Sequence, residues 1–134
     1  MTRAFASVEL GDDLPEVQPD VSMENVRLFC ASARMPFGRF TDHEKARAEG
    51  LPGAIVPGIM SQALLSALVH RWSPGCRIEN MDTIFRAPVL VDSKPTCRGV
   101  VTNTDPESET IELDLTIVNE AGETRVVGTA QVRL

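Results

Sequence analysis

From residue 109 onward the chain alternates. In "TIELDLTIV" the apolar residues Ile111, Leu113, Leu115 and Ile117 take every second position, and Val126, Gly128, Ala130, Val132 and Leu134 do the same in the last segment. A period of two puts successive side chains on opposite faces. Both segments therefore read as antiparallel strands with one face on a core and one in water. "NEAGE" between them reads as a hairpin turn in which Gly122 supplies the unusual backbone angle. Two earlier extended segments bring the set to 77–86, 95–104, 109–119 and 124–134, an antiparallel meander.

Upstream the period changes. "SVELGDDLPEVQPDVS" reads as a short strand and a turn-rich lead-in. Ser22 then looks like the N-cap of a helix over "MENVRLFCASA", whose Val26, Phe29, Cys30 and Ala33 share one face. Pro36 breaks the pattern at Met35. A second, short helix is predicted from Thr41, with Thr41 and Glu44 as a capping box, Asp42 in the first turn and Gly50 as the left-handed stop. A third runs from Gly58 to about Trp72, and its apolar residues (Ile59, Met60, Ala63, Leu64, Ala67 and Leu68 among them) form a stripe wide enough to predict a helix surrounded on nearly all sides. A buried helix followed by four strands predicts an α+β hot-dog fold: a long central helix wrapped by a curved antiparallel β-sheet. So small a sheet leaves an edge for a second subunit to cover.

Composition narrows the picture. A length of 134 residues predicts one domain, 1–134, able to bury a core without staples. The net charge of −6 and the lack of any Lys/Arg cluster give nucleic-acid binding no electrostatic support. Cys30, Cys76 and Cys97 are odd in number and widely spaced, which reads as free thiols in a reducing compartment. With two histidines and no ligand spacing, a metal site is not expected. The N-terminal residues lack the apolar core of a signal peptide and no run is apolar enough to span a membrane, so the expected location is cytoplasmic.

Two motifs then resemble a known family. "TDHEKARAEGLPGAIVPGIMSQAL" is similar to the MaoC-like, R-specific enoyl-thioester hydratase pattern T-D-P-x-x-A-R-x-x-G-[FL]-x-x-x-I-x-H-G-M, and "IFRAPVLVDS" to the following F-x-x-P-V-x-x-G-D. The resemblance covers essentially the whole chain. It implies a hot-dog dimeric unit with a tunnel for an acyl chain carried as a thioester on coenzyme A or acyl carrier protein, and no further cofactor. Active members carry D-x-N-P-x-H just before T-D. The Asp and His hold water and exchange protons with the α and β carbons, while a backbone N–H at the head of the central helix polarises the thioester carbonyl. Aligned without gaps, the Asp falls at Met35 and the His at Phe40, and the family's H-G falls on Pro57-Gly58. Neither Met nor Phe transfers a proton. Gly58 remains as an oxyanion donor, and Pro57, Ile59, Met60, Ser61, Phe37, Phe40 and Arg39 are the expected substrate-binding residues.

Substitutes for the missing pair are few. Asp42 and His43 are adjacent, but helical neighbours point about 100° apart and converge poorly on one atom. Glu79 on the next strand is a third option. His70 lies roughly 18 Å along the helix from Gly58. Arg34 and Arg39 flank the altered turn, as solvated charges or as partners for a phosphate or carboxylate. Cys30 reads as core, Trp72, Met60 and Met81 as packing or tunnel lining, and Arg86 as a surface strand residue. Ser61 and Gln62 are either first-turn capping groups or thioester contacts. Three functions follow, in a chain expected either as a homodimer or as a heterodimer with an intact MaoC-like chain: the catalytically silent subunit of such a heterodimer in lipid or steroid side-chain metabolism; an acyl-thioester hydratase, dehydratase or thioesterase with relocated groups; or a homodimeric small-molecule binding module.

Overall fold

The computed structural model describes residues 2–134. Its helices are α1 (Met23–Ser32), α2 (Gly38–Thr41), α3 (His43–Ala48) and α4 (Gly58–Trp72), and its strands β1 (Arg77–Phe85), β2 (Thr96–Asp105), β3 (Thr110–Val118) and β4 (Thr124–Arg133). The sheet is antiparallel with order β1-β4-β3-β2. Only β2 to β4 form a meander; β1 crosses over to pair with β4, a correction to the simple meander that alternation alone predicts. Ladder register slips at Ile78/Asn80 and Val101/Asn103, and irregularities of this kind bend strands and increase their twist.

Periodicity becomes packing directly. Ile111, Leu113, Leu115 and Ile117 of β3, with Val126, Ala130 and Val132 of β4, are buried. They meet Leu65, Leu68 and Val69 of α4, Val26 and Cys30 of α1, and Ala46 of α3 in one cluster. At Gly128 the tight approach is within the sheet: a Cβ there would stand 3.3 Å from the Asp82 carbonyl oxygen of β1, and in ordinary contact, at 3.5 Å, with Leu65 Cδ1 of α4. The β3–β4 turn depends on Asn119 as well as Gly122 (φ 79°), because the Asn119 side-chain oxygen accepts from the N–H groups of Ala121 and Glu123.

Three further expectations are corrected. The lead-in holds no strand: a 3₁₀ turn (Phe5–Ser7) is followed by an irregular segment bridging to β2 at Asp13–Val100 and Val17–Cys97. Prolines and glycine deny it a regular ladder, yet it bonds along the β2 edge through Gly11, Leu14 and Val17. The short helix is not capped at Thr41. Asp42 is the N-cap, its carboxylate accepting from the Lys45 N–H, while Thr41 ends α2 with its hydroxyl on the Phe37 carbonyl and Glu44 pairs with Arg47. Finally, α4 is not surrounded: Ile59 is 52% exposed, and Ala63, Ala67 and His70 continue the open stripe at helical spacing. No helix among the described residues is long and apolar enough to cross a membrane.

Candidate functional site

The site grows from the end of α1. Ala33 caps that helix and Arg34 takes a left-handed φ of 56°. The Met35 N–H then returns to the Cys30 carbonyl and the Arg34 N–H to Ala31, the paired bonds of a Schellman stop. This stop turns Met35 back onto the core. Pro36 follows, and the one-turn α2 brings Phe37 and Phe40 together edge to face, with ring centroids 6.3 Å apart. Gly38 lies beneath the Lys45 stem, where a Cβ would come within 2.9 Å of the Lys45 Cβ.

Met35, Phe37, Arg39 and Phe40 line an open hollow of about 360 Å³. Its walls are a thioether and two phenyl rings. The one charge, Arg39, is directed to Glu49 at 2.7 Å. The Arg39 carbonyl accepts from the Ile55 N–H at 2.9 Å and so ties this turn to the loop leading into α4. No carboxylate or imidazole lines the hollow.

At the head of α4 the N-cap is Pro57, which offers no side-chain acceptor; its carbonyl takes the N–H groups of Met60 and Ser61. Among the described residues, no acceptor meets the N–H of Gly58 or Ile59. The Phe85 ring lies over Gly58, so that a Cβ there would stand 3.1 Å from the ring edge. Met60 and Ser61 are buried, whereas Ile59 is open. The result is a helix N-terminus with free donors, positive partial charge and an aromatic neighbour, suited to polarising a carbonyl.

The proposed substitutes are engaged elsewhere. Asp42 caps α3, and the backbone N–H of Lys45 holds its carboxyl below the usual carboxylate range. His43 turns away from Asp42: its Nε2 meets Asp92 Oδ2 at 2.8 Å and its Nδ1 accepts from the Ala54 N–H at 3.0 Å. Glu79 pairs with Arg133. His70, at the far end of α4, has its Nδ1 3.8 Å from Cys76 Sγ. Cys30 is core, Trp72 packs in the core with Arg3 over its ring, and Met81 receives the Ser66 hydroxyl. Ser66 also bonds the Gln62 carbonyl. Arg34 and Arg86 form no ion pair among the described residues, which hold no cluster suited to a metal ion. Reading the sequence missed Phe85 as the neighbour of Gly58 and Asp92 as the partner of His43. Asp92 left one trace: it sits in the polar turn "VDSK", where its φ is 67°, a conformation that Asp tolerates better than most residues.

No family model matches the chain, and no curated protein matches it by sequence. Solved structures do match it. An (R)-hydratase from A. caviae involved in PHA biosynthesis superposes with TM-score 0.90 at 23% identity, over 96% of this chain and 98% of that one. A chain of the ChsH1-ChsH2 complex from Mycobacterium tuberculosis gives 0.86 at 20%, over 94% and 98%. A MaoC-like dehydratase gives 0.92 at 24%, over 99% of this chain and 42% of that one. At these identities the likeness shows the fold, which is the α+β hot-dog fold of those hydratases and dehydratases.

Proposed function

We propose that this chain is a MaoC-like hot-dog protein that binds an acyl thioester, on coenzyme A or acyl carrier protein, and acts as the catalytically silent subunit of a heteromeric enoyl-CoA hydratase or dehydratase. The observation that carries this reading is the contrast between the two halves of the site. The turn at 35–40 offers only Met35, Phe37 and Phe40 around its hollow, whereas the head of α4 keeps the N–H of Gly58 without an internal acceptor. Adding water across an enoyl thioester requires a group to take a proton from water and one to deliver a proton to the α carbon. The oxygen, where enolate charge develops, needs a hydrogen-bond donor. This chain supplies the donor and an apolar wall. The proton-transfer pair then comes from a partner carrying D-x-N-P-x-H.

Two further observations support a partner. The ChsH1-ChsH2 complex, whose name records two different chains, shares this fold. On this chain, β1 pairs with β4 on one side only, and Ile84 and Phe85 near its end are more than half exposed.

The purified chain is expected not to hydrate crotonyl-CoA or a bulkier enoyl-CoA, while its complex with an intact MaoC-like chain does. Hydration by the chain alone overturns the silent-subunit reading. The double change Met35→Asp with Phe40→His asks whether the turn still has catalytic geometry; hydration by that variant alone shows that only the groups are missing. The alternative, a homodimeric small-molecule binding module, is favoured by the solvent-open apolar hollow. Thermal stabilisation by acyl-CoA with no turnover in any pairing selects it.

A further inference from the structure

We infer that His43 is a tautomer-locked latch, whose unprotonated Nδ1 holds the Ala54 N–H and so the Gly53–Ala54 peptide, and which lets that N–H go when the ring takes up a second proton. The two ring nitrogens face different chemistry. Nδ1 stands 3.0 Å from the Ala54 nitrogen, which carries a hydrogen and can only donate; Nδ1 must therefore be the lone-pair nitrogen. Nε2 then carries the proton and donates to Asp92 Oδ2 at 2.8 Å. Gly53 permits the approach, since a Cβ there would stand 3.0 Å from Nδ1.

Asp92 is itself anchored. Its Oδ1 accepts from the Met23 N–H at the start of α1 and its own N–H donates to the Val21 carbonyl. One ring therefore joins α3 to the start of α1 through Asp92, and to the loop that ends at Gly58 through Ala54. The sequence departs here from the pattern it resembles, which has Pro at this position and no such ring.

Protonation acts on the two bonds in opposite directions. A second N–H at Nδ1 points at the Ala54 N–H, donor against donor, and that bond is lost. The bond to Asp92 gains charge and tightens. Among the charged groups described around the ring, Asp92 is the one bonded to it. On α3, Asp42 is spent as a cap and Glu44 and Arg47 pair with each other. From α1, Arg27 adds positive charge near Asp92 and Asp42, and Asp20 and Lys94 flank Asp92 in one shallow hollow. The loop 52–57 carries no titratable side chain. It remains held at Pro52, whose carbonyl accepts from Arg47 Nε at 3.2 Å, at the Ala54 carbonyl by the Val91 N–H, at Ile55 by Arg39 and at Val56 by Val89, so the loosening is confined to the Gly53–Ala54 peptide. Ala54 is fully buried, and its orphaned N–H must open to water to find a new acceptor.

The test needs no ligand. At about pH 7.5 the nitrogen chemical shifts of His43 should report the Nε2–H tautomer. On acidification to about pH 5.5, exchange of the Ala54 amide, corrected for its intrinsic pH dependence, should rise about tenfold while that of the Met23 amide stays constant. His43→Asn keeps an acceptor in the place of Nδ1 and does not titrate, so Ala54 should stay protected at both pH values. His43→Gln keeps a donor toward Asp92 but no Nδ1 acceptor, so Ala54 should exchange fast at both. An Nδ1–H tautomer, pH-independent exchange at Ala54, or joint loss of protection at Ala54 and Met23 overturns the latch. The latch does not depend on the function proposed above. Failure to bind crotonyl-CoA or a bulkier enoyl-CoA at either pH, alone or in complex with an intact MaoC-like chain, sinks that reading and leaves the exchange result standing.

Discussion

The Cys97 thiol lies in β2 at 1% exposure, and burial pushes it up to about 11 from an ordinary value near 9. The folded value is above the unfolded one, so the unfolded chain loses its proton first as pH rises. Titration of this group leaves stability constant and at its full value below about pH 9; between about 9 and 11 stability falls, by at most about 1.4 kcal/mol per pH unit. A series of urea midpoints against pH should show this decline, and Cys97→Ala should flatten it. An unchanged alkaline slope in that variant would assign the decline to other groups. At this scale the sequence was readable where one residue decides one thing: Met35 and Phe40 cannot move protons wherever they sit. It was not readable where two distant residues meet. The His43–Asp92 pair spans 49 positions, and nothing local in "TDHEKA" indicates an acceptor so far along the chain.

At the scale of elements, the stop of α1 sets where Met35 points. Arg34 holds a left-handed φ of 56°, which suits glycine far better than a residue with a Cβ. Arg34→Gly should stabilise the protein by about 0.5–1 kcal/mol, less the entropy that glycine adds to the unfolded chain; chemical denaturation with an unchanged m-value checks it. A loss of stability would mean that the Arg34 stem contributes packing. The strands and α4 were legible because burial imposes periods of two and 3.6 over many residues. The capping box was misassigned because Thr41 and Asp42 are both good caps and adjacent. Tertiary contact decided between them, since α2 claims Thr41. The breadth of the α4 stripe was read correctly, but its meaning was not: Ile59, Ala63 and Ala67 face outward in the single chain.

On the scale of the whole molecule, that open stripe and the β1 edge are both uncovered in the single chain. Ile84 is 65% exposed on β1, and the Phe85 ring links the strand to the head of α4. Replacing Ile84 with Lys should abolish association, whether with a second copy or with an intact MaoC-like chain, as read by light scattering after gel filtration. A wild-type chain that neither self-associates nor captures such a partner would show that this edge is no interface. The small sheet predicted an open edge, but not which one, because the crossover of β1 is invisible to periodicity.

The opposite edge has a different fate. The segment 11–17 lies along β2, and Gly99 lets it settle there: a Cβ at that position would stand 3.0 Å from both Leu14 Cδ2 and Leu115 Cδ2. The sheet thus has a valence of one. Strand pairing through β1 closes on itself at two subunits, while an endless ribbon, which needs a free edge at each side of every unit, is blocked by the chain's own lead-in.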